Sequence, residues 1–298
     1  MKGLVCMEHR LFVYGTLRRG ERNHGLLGSS RCEAFLARAP GVLVDTGLGF
    51  PAMKETGASS GETPGMVCGE IYRVDKATLA RIDILEDYHG PGDPRNLYER
   101  VEMKARTDRG EMDVLAYVSD RFRDGAAICF GDWKLHRMLR EPHVLYFAYG
   151  SCMDDERFKK AGVADWFRDM VGRGTVHGCN LQFTRQASDG GRADMVETGG
   201  VTEGKLYRIP VEALEGYLYG REGVRLGIYR PAVVPVRLDS GETADALTFV
   251  VVDKRPETAP PEWYMEEILR GAGGTVSESY YEALLDRFFS FGYQGIGK

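Results

Sequence analysis

Metal, nucleic acid and membrane each leave a trace in composition, and this 298-residue sequence carries little of any of them. Its six cysteines (Cys6, Cys32, Cys68, Cys129, Cys152 and Cys179) are scattered along the chain without a Cys-x-x-Cys pair, and the histidines near them, such as His177, stand singly. That is too little for a zinc site, and the spacing does not suggest a disulfide framework, so reduced cytoplasmic thiols are expected. Basic residues are outnumbered, 39 Lys and Arg against 44 Asp and Glu, giving a net charge of −5. With no basic block interleaved with aromatics, nucleic acid is not an expected partner. No run of about 18 apolar residues is present, and Met1–Arg10 lacks the apolar core of a signal peptide. A soluble, intracellular protein with no membrane partner is expected.

What the sequence does have is a repeat. Phe12-Val13-Tyr14-Gly15-Thr16-Leu17 is echoed by Phe147-Ala148-Tyr149-Gly150-Ser151-Cys152-Met153, at a sequence offset of 135 (150 − 15). Gly69-Glu70-Ile71-Tyr72-Arg73 and Gly204-Lys205-Leu206-Tyr207-Arg208 keep the same offset (204 − 69), as do Leu79 and Leu214. Glu86 and Glu222 stand 136 apart (222 − 86), one inserted residue accounting for the slip. Several anchors at one offset indicate a duplicated folding unit. The reading is two tandem domains, residues 1–141 and 142–298, each long enough to bury a core.

Arg10–Tyr14, Val144–Ala148, Cys68–Val74 and Gly204–Ile209 read as strands, as do the Val-rich segments Val101–Ala105, Val114–Val118, Val233–Arg237 and Ala246–Val252. Lys76–Leu85, Val211–Arg221, Pro261–Arg270 and Ser279–Phe289 carry helical spacing, the last with Ser279 and Glu282 as a capping box. Ala126–Glu141 looks helical up to Pro142, while Thr56–Gly65 and Ser188–Gly200 read as surface loops.

A Tyr-Gly-Ser/Thr loop directly after a strand can present consecutive backbone N–H groups to an anion, or its glycine can simply make a tight turn. A glutamate against apolar walls has its pKa raised toward neutrality and can take and return a proton, although most glutamates at helix ends are solvated and inert. The separation from the loop glycine is nearly constant, 71 in one half (86 − 15) and 72 in the other (222 − 150), and that recurrence favours function for Glu86 and Glu222. Tyr98 and Tyr229 follow these glutamates and either bond a polar group or fill core. Asp194 reads as a loop aspartate or a ligand for an amine, and His24 as a hydrogen-bonding packer.

These residues together resemble the γ-glutamylcyclotransferase family. Tyr14-Gly15-Thr16-Leu17-Arg18-Arg19-Gly20 with Asn23-His24, Phe50-Pro51-Ala52, Asp83-Ile84-Leu85-Glu86 and Tyr98 is similar to the γ-glutamylamine branch. Tyr149-Gly150-Ser151-x-Met153, Ala193-Asp194-Met195, Glu222-Gly223-Val224, Tyr229 and Pro261-Glu262-x-Tyr264 are similar to the glutathione branch. The resemblance implies an α+β fold of two small mixed barrels flanked by helices, with no metal and no cofactor. It implies intramolecular attack of a γ-glutamyl α-amine on the γ-carbonyl, releasing 5-oxoproline and an amine or amino acid. Glu86 and Glu222 would be the general acid/base residues. Tyr14, Gly15, Thr16, Leu17, Tyr98, Tyr149, Gly150, Ser151, Cys152, Met153 and Tyr229 would bind the small-molecule γ-glutamyl substrate. Cys152 stands where the glutathione-type loop has Asn. A non-catalytic carboxylate-binding module, or an enzyme with one active half, is the alternative.

Overall fold

A computed structural model of the chain describes residues 8–55, 65–122 and 124–293. Two compact units divide between Arg137 and Met138. Unit 1 holds β1 (His9–Val13), β2 (Arg31–Pro40), β3 (Val42–Asp45), β4 (Pro51–Lys54), β5 (Met66–Val74), α1 (Lys76–Leu85), β6 (Glu99–Thr107), β7 (Gly110–Val118), β8 (Ala126–Ala127) and α2 (Trp133–Met138). Unit 2 holds β9 (His143–Ala148), α3 (Asp155–Lys160), β10 (Met170–His177), β11 (Asn180–Ala187), β12 (Gly190–Val196), β13 (Val201–Pro210), α4 (Tyr219–Arg221), β14 (Tyr229–Leu238), β15 (Thr243–Val251), α5 (Glu262–Ala272) and α6 (Glu278–Ser290).

Each unit is built on a closed five-stranded barrel, in the order β1-β5-β2-β6-β7 and β9-β13-β10-β14-β15. The first strand runs antiparallel to β5 or β13 and closes the barrel by a parallel contact with the last, Leu11 beside Leu115 and Tyr146 beside Leu247. Even the register is duplicated: Phe12 pairs with Ile71, and its repeat counterpart Phe147 pairs with Leu206, the counterpart of Ile71. β1 is buried on both faces, which is why it reads as an unbroken apolar run. Phe12 and Tyr14 belong to the core inside the barrel. Leu11 and Val13 belong to a second core outside it, closed by Leu79 and Ile82 of α1.

The repeated glycines Gly69 and Gly204 have a packing reason. A Cβ on Gly69 would lie 2.5 Å from the Val13 carbonyl oxygen and 2.6 Å from the Phe12 ring, and one on Gly204 would collide with the Ala148 carbonyl. The ring fills the space a side chain would need.

Three expectations change. Ala126–Glu141 is not one helix: Ala127 pairs with Val44 on β3, Ile128 N–H donates to the Leu43 carbonyl at 2.8 Å, and α2 is confined to Trp133–Met138. Phe130 and Gly131, both at φ 60°, break the run between them. Ser188–Gly200 is a turn followed by β12, whose Asp and Gly content disguised it; β12 pairs with β11. The cap of α6 is Ser277, which accepts from Tyr280 N–H at 3.3 Å, slightly earlier in the chain than the expected Ser279. The expected loop at 56–64 lies outside the described residues. Among the described residues no helix is long and apolar enough to cross a membrane.

The glycine packing is directly testable. Gly69→Ala is expected to cost about 1–3 kcal/mol through overpacking, read as a lower denaturation midpoint. An unchanged midpoint would show that the Phe12 ring yields freely.

Candidate active sites

Both Tyr-Gly loops are closed by the same turn: Arg18 N–H donates to the Gly15 carbonyl at 3.0 Å, and Met153 N–H to the Gly150 carbonyl at 3.0 Å. Gly150 has φ −118°, and Gly15 is not among the residues of positive φ, so left-handed freedom is not what glycine supplies. Close approach is. A Cβ on Gly15 would lie 2.8 Å from the Pro51 ring, and one on Gly150 2.9 Å from Ala193 Cβ.

The tyrosines lock this approach. Tyr14 donates its hydroxyl to the Tyr117 carbonyl at 2.7 Å, and Tyr149 to the Phe249 carbonyl at 2.6 Å, tying each loop to the last barrel strand. Tyr98 donates to the Pro51 carbonyl at 3.0 Å and Tyr229 to the Ala193 carbonyl at 2.8 Å, holding the segment that faces the glycine. Burial raises the pKa of all four hydroxyls, which stay protonated donors. Asn23 adds a side-chain bond to the Thr16 hydroxyl at 3.0 Å, and His24 packs with Nδ1 3.0 Å from the Leu17 carbonyl.

Each glutamate follows a helix that ends at the loop. Glu86 caps the C-terminus of α1, its N–H bonded to the Ile82 carbonyl at 2.9 Å. Its carboxyl lines a cavity of about 200 Å³ with Tyr14, Gly15, Thr16, Leu17 and Tyr98. Desolvation against these walls raises its pKa to about 7. The neighbouring Asp87 is more than half exposed and contributes nothing to that shift.

Glu222 ends a helical stretch that differs from α1 in one respect. Residues 214–218 form a π-turn, with Tyr219 N–H donating to the Leu214 carbonyl. Such a turn accommodates one extra residue within a helix, so the insertion between the repeated leucine and the repeated glutamate is absorbed before Glu222. The glutamate thus lines a cavity of about 160 Å³ beside Tyr149, Gly150, Ser151, Cys152 and Tyr229. Met153 is the one expected binding residue that does not line it. Fully buried, it lies against α5, where a Cβ on Gly271 would strike its backbone.

The two carboxyls have different company. No described side chain donates to the Glu86 carboxylate, and the residue before it is Leu85. The residue before Glu222 is Arg221, whose Nε lies 3.3 Å from Glu222 Oε1, 3.0 Å from Cys152 Sγ, and whose other nitrogen donates to Ser151 Oγ at 3.0 Å. Burial still raises the Glu222 pKa, with Arg221 opposing the shift. Cys152 donates to Glu222 at 3.5 Å, and burial pushes its thiol pKa up, so it serves as a donor and wall.

Asp194 belongs to neither cavity. Wholly buried, it accepts from Thr184 at 2.6 Å, Val251 N–H at 2.9 Å and Lys254 at 2.5 Å, joining β11 and β12 to β15. Arg18 is likewise structural, between Asp132 at 2.7 Å and Glu70 at 3.2 Å. Sequence reasoning missed Arg185, Arg192, Trp263 and Tyr264 as walls of the second cavity. The two arginines flank the turn 188–189, and Tyr264 reaches in from α5 to accept Ala193 N–H at 3.2 Å. Among the described residues no group of His, Cys, Asp or Glu could hold a metal ion.

Two barrels, each facing a desolvated carboxyl with a Tyr-Gly loop, define a tandem protein of one small α+β class. Residues 11–135 match the family described as gamma-glutamyl cyclotransferase, AIG2-like, and residues 202–284 match the AIG2-like family. The chain is 43% identical over 286 residues to "Putative gamma-glutamylcyclotransferase YkqA" of Bacillus subtilis (strain 168), covering 93% of this chain and 96% of that protein. It therefore belongs to the AIG2-like gamma-glutamylcyclotransferase family. The crystal structure of YkqA superposes with a TM-score of 0.83 at 41% identity, over 95% of this chain and 98% of that one. A shorter stretch of 138 residues is 41% identical to the gamma-L-glutamyl-butirosin B gamma-glutamyl cyclotransferase of Niallia circulans, 46% of this chain and 83% of that protein.

Removing the Arg221 charge separates desolvation from the ion pair. Arg221→Leu places at 221 the residue found at 85 and is expected to raise the Glu222 pKa further, since a cation favours the charged carboxylate. Carboxyl-carbon NMR titration reads it, and a fall in pKa would mean that Arg221 acts chiefly by burying Glu222.

Proposed function

We propose that the chain catalyses γ-glutamyl cyclotransfer at a site in each unit, with Glu86 and Glu222 as the proton-transferring residues. The observation that carries this reading is the recurrence of a desolvated carboxyl in one cavity with the Tyr-Gly loop, on two copies that differ in most other lining residues. Active sites are where burial is used to tune a carboxyl toward neutrality.

The chemistry suits such a cavity. The glutamate takes a proton from the substrate α-ammonium, and the freed amine attacks the γ-carbonyl carbon, closing a five-membered ring. The tetrahedral intermediate carries an oxyanion, for which the amides of Thr16 and Leu17, or of Ser151 and Cys152, are candidate donors. Protonated glutamate then returns its proton to the leaving nitrogen as the carbon–nitrogen bond breaks, and the second proton of the ring nitrogen passes to the departing amine, giving 5-oxoproline and the amine as its ammonium form. Ring closure within one molecule can gain on the order of 10⁵ M in effective concentration, and proton transfer roughly 10²–10⁴-fold. The step needs a folded substrate and one tuned acid/base group.

A reading in which unit 1 alone turns over has one observation in its favour: the Glu222 carboxylate is held by Arg221 and Cys152, whereas Glu86 is free of such partners. Single variants decide between them. Glu86→Gln and Glu222→Gln together are expected to lower 5-oxoproline release by at least about 10²-fold, and Glu222→Gln alone would be silent if only unit 1 works. Full turnover in the double variant would remove both glutamates from the mechanism.

The pH profile is a second test. With Glu222→Gln in place, the remaining turnover depends on Glu86, whose pKa is about 7. Its basic form is lost as pH falls through that value, so kcat/KM should decline on the acid side of about 7. A profile flat from pH 5 to 8 would contradict that assignment.

A further inference from the structure

The two cavities differ most in charge. Among its described lining residues, the unit 1 cavity has one guanidinium, Arg22, among aromatic and aliphatic walls that include Phe50, Leu85 and Leu97. The unit 2 cavity has four, Arg157, Arg185, Arg192 and Arg221. Three of these have carboxylate partners in the protein: Arg157 pairs with Glu267, Arg192 with Asp189 at 2.6 Å, and Arg221 with Glu222 at 3.3 Å. Arg185 has no carboxylate within ion-pair distance among the described residues, and its positive charge, with that of Arg157, opposes the burial that raises the pKa of Glu222.

Arg185 is also placed where a cation is costly. It stands directly opposite Arg192 in the β11–β12 register, and like charges facing across a strand pair destabilise it. Arg192 is fixed in that position, its guanidinium 5.0 Å from the Trp263 ring and 5.1 Å from the Tyr264 ring. Two arginines paired across the hairpin and lining one cavity, of which Arg192 has the carboxylate of Asp189, leave the Arg185 charge without a carboxylate counterpart among the described residues. An anion from outside is the missing counterpart, and a carboxylate matches the planar donor fork of arginine.

On the reading of both cavities as γ-glutamyl sites, every substrate brings one carboxylate, on the γ-glutamyl group itself. Unit 2 offers more positive charge than that group needs. We infer that Arg185 and Arg192 hold a second carboxylate, on the departing half of the substrate, so that unit 2 selects γ-glutamyl amino acids or peptides with a free C-terminus. Unit 1, without the arginine pair, accepts leaving amines that lack this group. The tandem chain thus sorts γ-glutamyl compounds by the charge of what is released, with Arg185 and Arg192 as specificity-determining residues.

The test uses γ-glutamylalanine and its C-terminal amide as probes of the full chain. With Glu86→Gln silencing unit 1, the acid should be turned over with a KM at least about tenfold below that of the amide, the size of a charge-assisted pair. Adding Arg185→Gln should reduce that ratio to within about threefold, with Arg185→Lys restoring part of it. With Glu222→Gln instead, the remaining unit 1 activity should show no such preference. Equal KM values for acid and amide in unit 2, or a ratio untouched by Arg185→Gln, would overturn the inference while leaving cyclotransfer intact. Calorimetry on the Glu86→Gln/Glu222→Gln chain separates the converse case. A preference for the acid that disappears with Arg185→Gln would uphold charge selection even if no 5-oxoproline is ever formed. Binding of neither probe would sink both readings.

Discussion

The parallel contact that closes each barrel constrains the position of every group in the sites. Because β1 lies beside β7, and β9 beside β15, the loop leaving the first strand arrives at the C-terminal end of the last. There the Tyr14 and Tyr149 hydroxyls find buried carbonyls within 2.7 Å. Loss of either hydroxyl would strand a buried carbonyl, and that penalty exceeds the modest net worth of the bond itself. The same closure sets Gly15 against Pro51 and Gly150 against Ala193, leaving no room for a β-carbon. The tyrosine and the glycine of the motif therefore answer to one geometric demand. They hold a loop against a barrel edge so that its neighbours, Thr16–Leu17 and Ser151–Cys152, line a cavity.

On that shared frame the copies have separated electrostatically. Leu85 precedes one glutamate and Arg221 the other, Leu17 and Cys152 occupy the same place in the two loops, and Pro51 faces the first glycine where Ala193, which donates its N–H to Tyr264, faces the second. None of these changes touches the barrel register, in which the repeated residues still pair alike. Where the chain did gain a residue, the π-turn at 214–218 took it up inside the helix, leaving Glu222 on the cavity wall. In a strand an extra residue must be taken up by a bulge, because a plain shift of one residue exchanges inward for outward faces. The insertion lies in the helix, where it could be absorbed.

The parts of this molecule that were legible in the sequence are those governed by local pattern or by duplication. The strands through Phe12 and Phe147, the helix Lys76–Leu85 and the pairing of each glutamate with its loop all announced themselves in that way. What escaped was decided by contacts distant in sequence. Ala126–Ala127 is a strand because β3 offers it an edge, and β12 tolerates Asp194 because Lys254 and Thr184 arrive from elsewhere. Arg185 and Arg192 carry no motif; only the hairpin register makes them neighbours. Met153 turned inward because α5 packs Gly271 against it.

The contrast between the carboxyls bears on how a cyclotransferase could use them. A lone desolvated carboxyl, as at Glu86, gains basicity from its surroundings and loses the hydrogen bonds that would fix its rotamer, so the substrate must orient it. Glu222 is oriented already, by Arg221 and Cys152, but the cation that positions it also works against the burial that raises its pKa. Positioning and basicity thus oppose each other across the pair. An anionic substrate changes that balance in unit 2, because its charge offsets part of the arginine field acting on Glu222. A neutral leaving group would leave that field in place. Unit 1 has no comparable field around Glu86, and its base needs no anion in the leaving group to reach a pKa of about 7. The positive charge that would recognise a carboxylate and the charge that restrains the base in unit 2 therefore come from the same group of arginines.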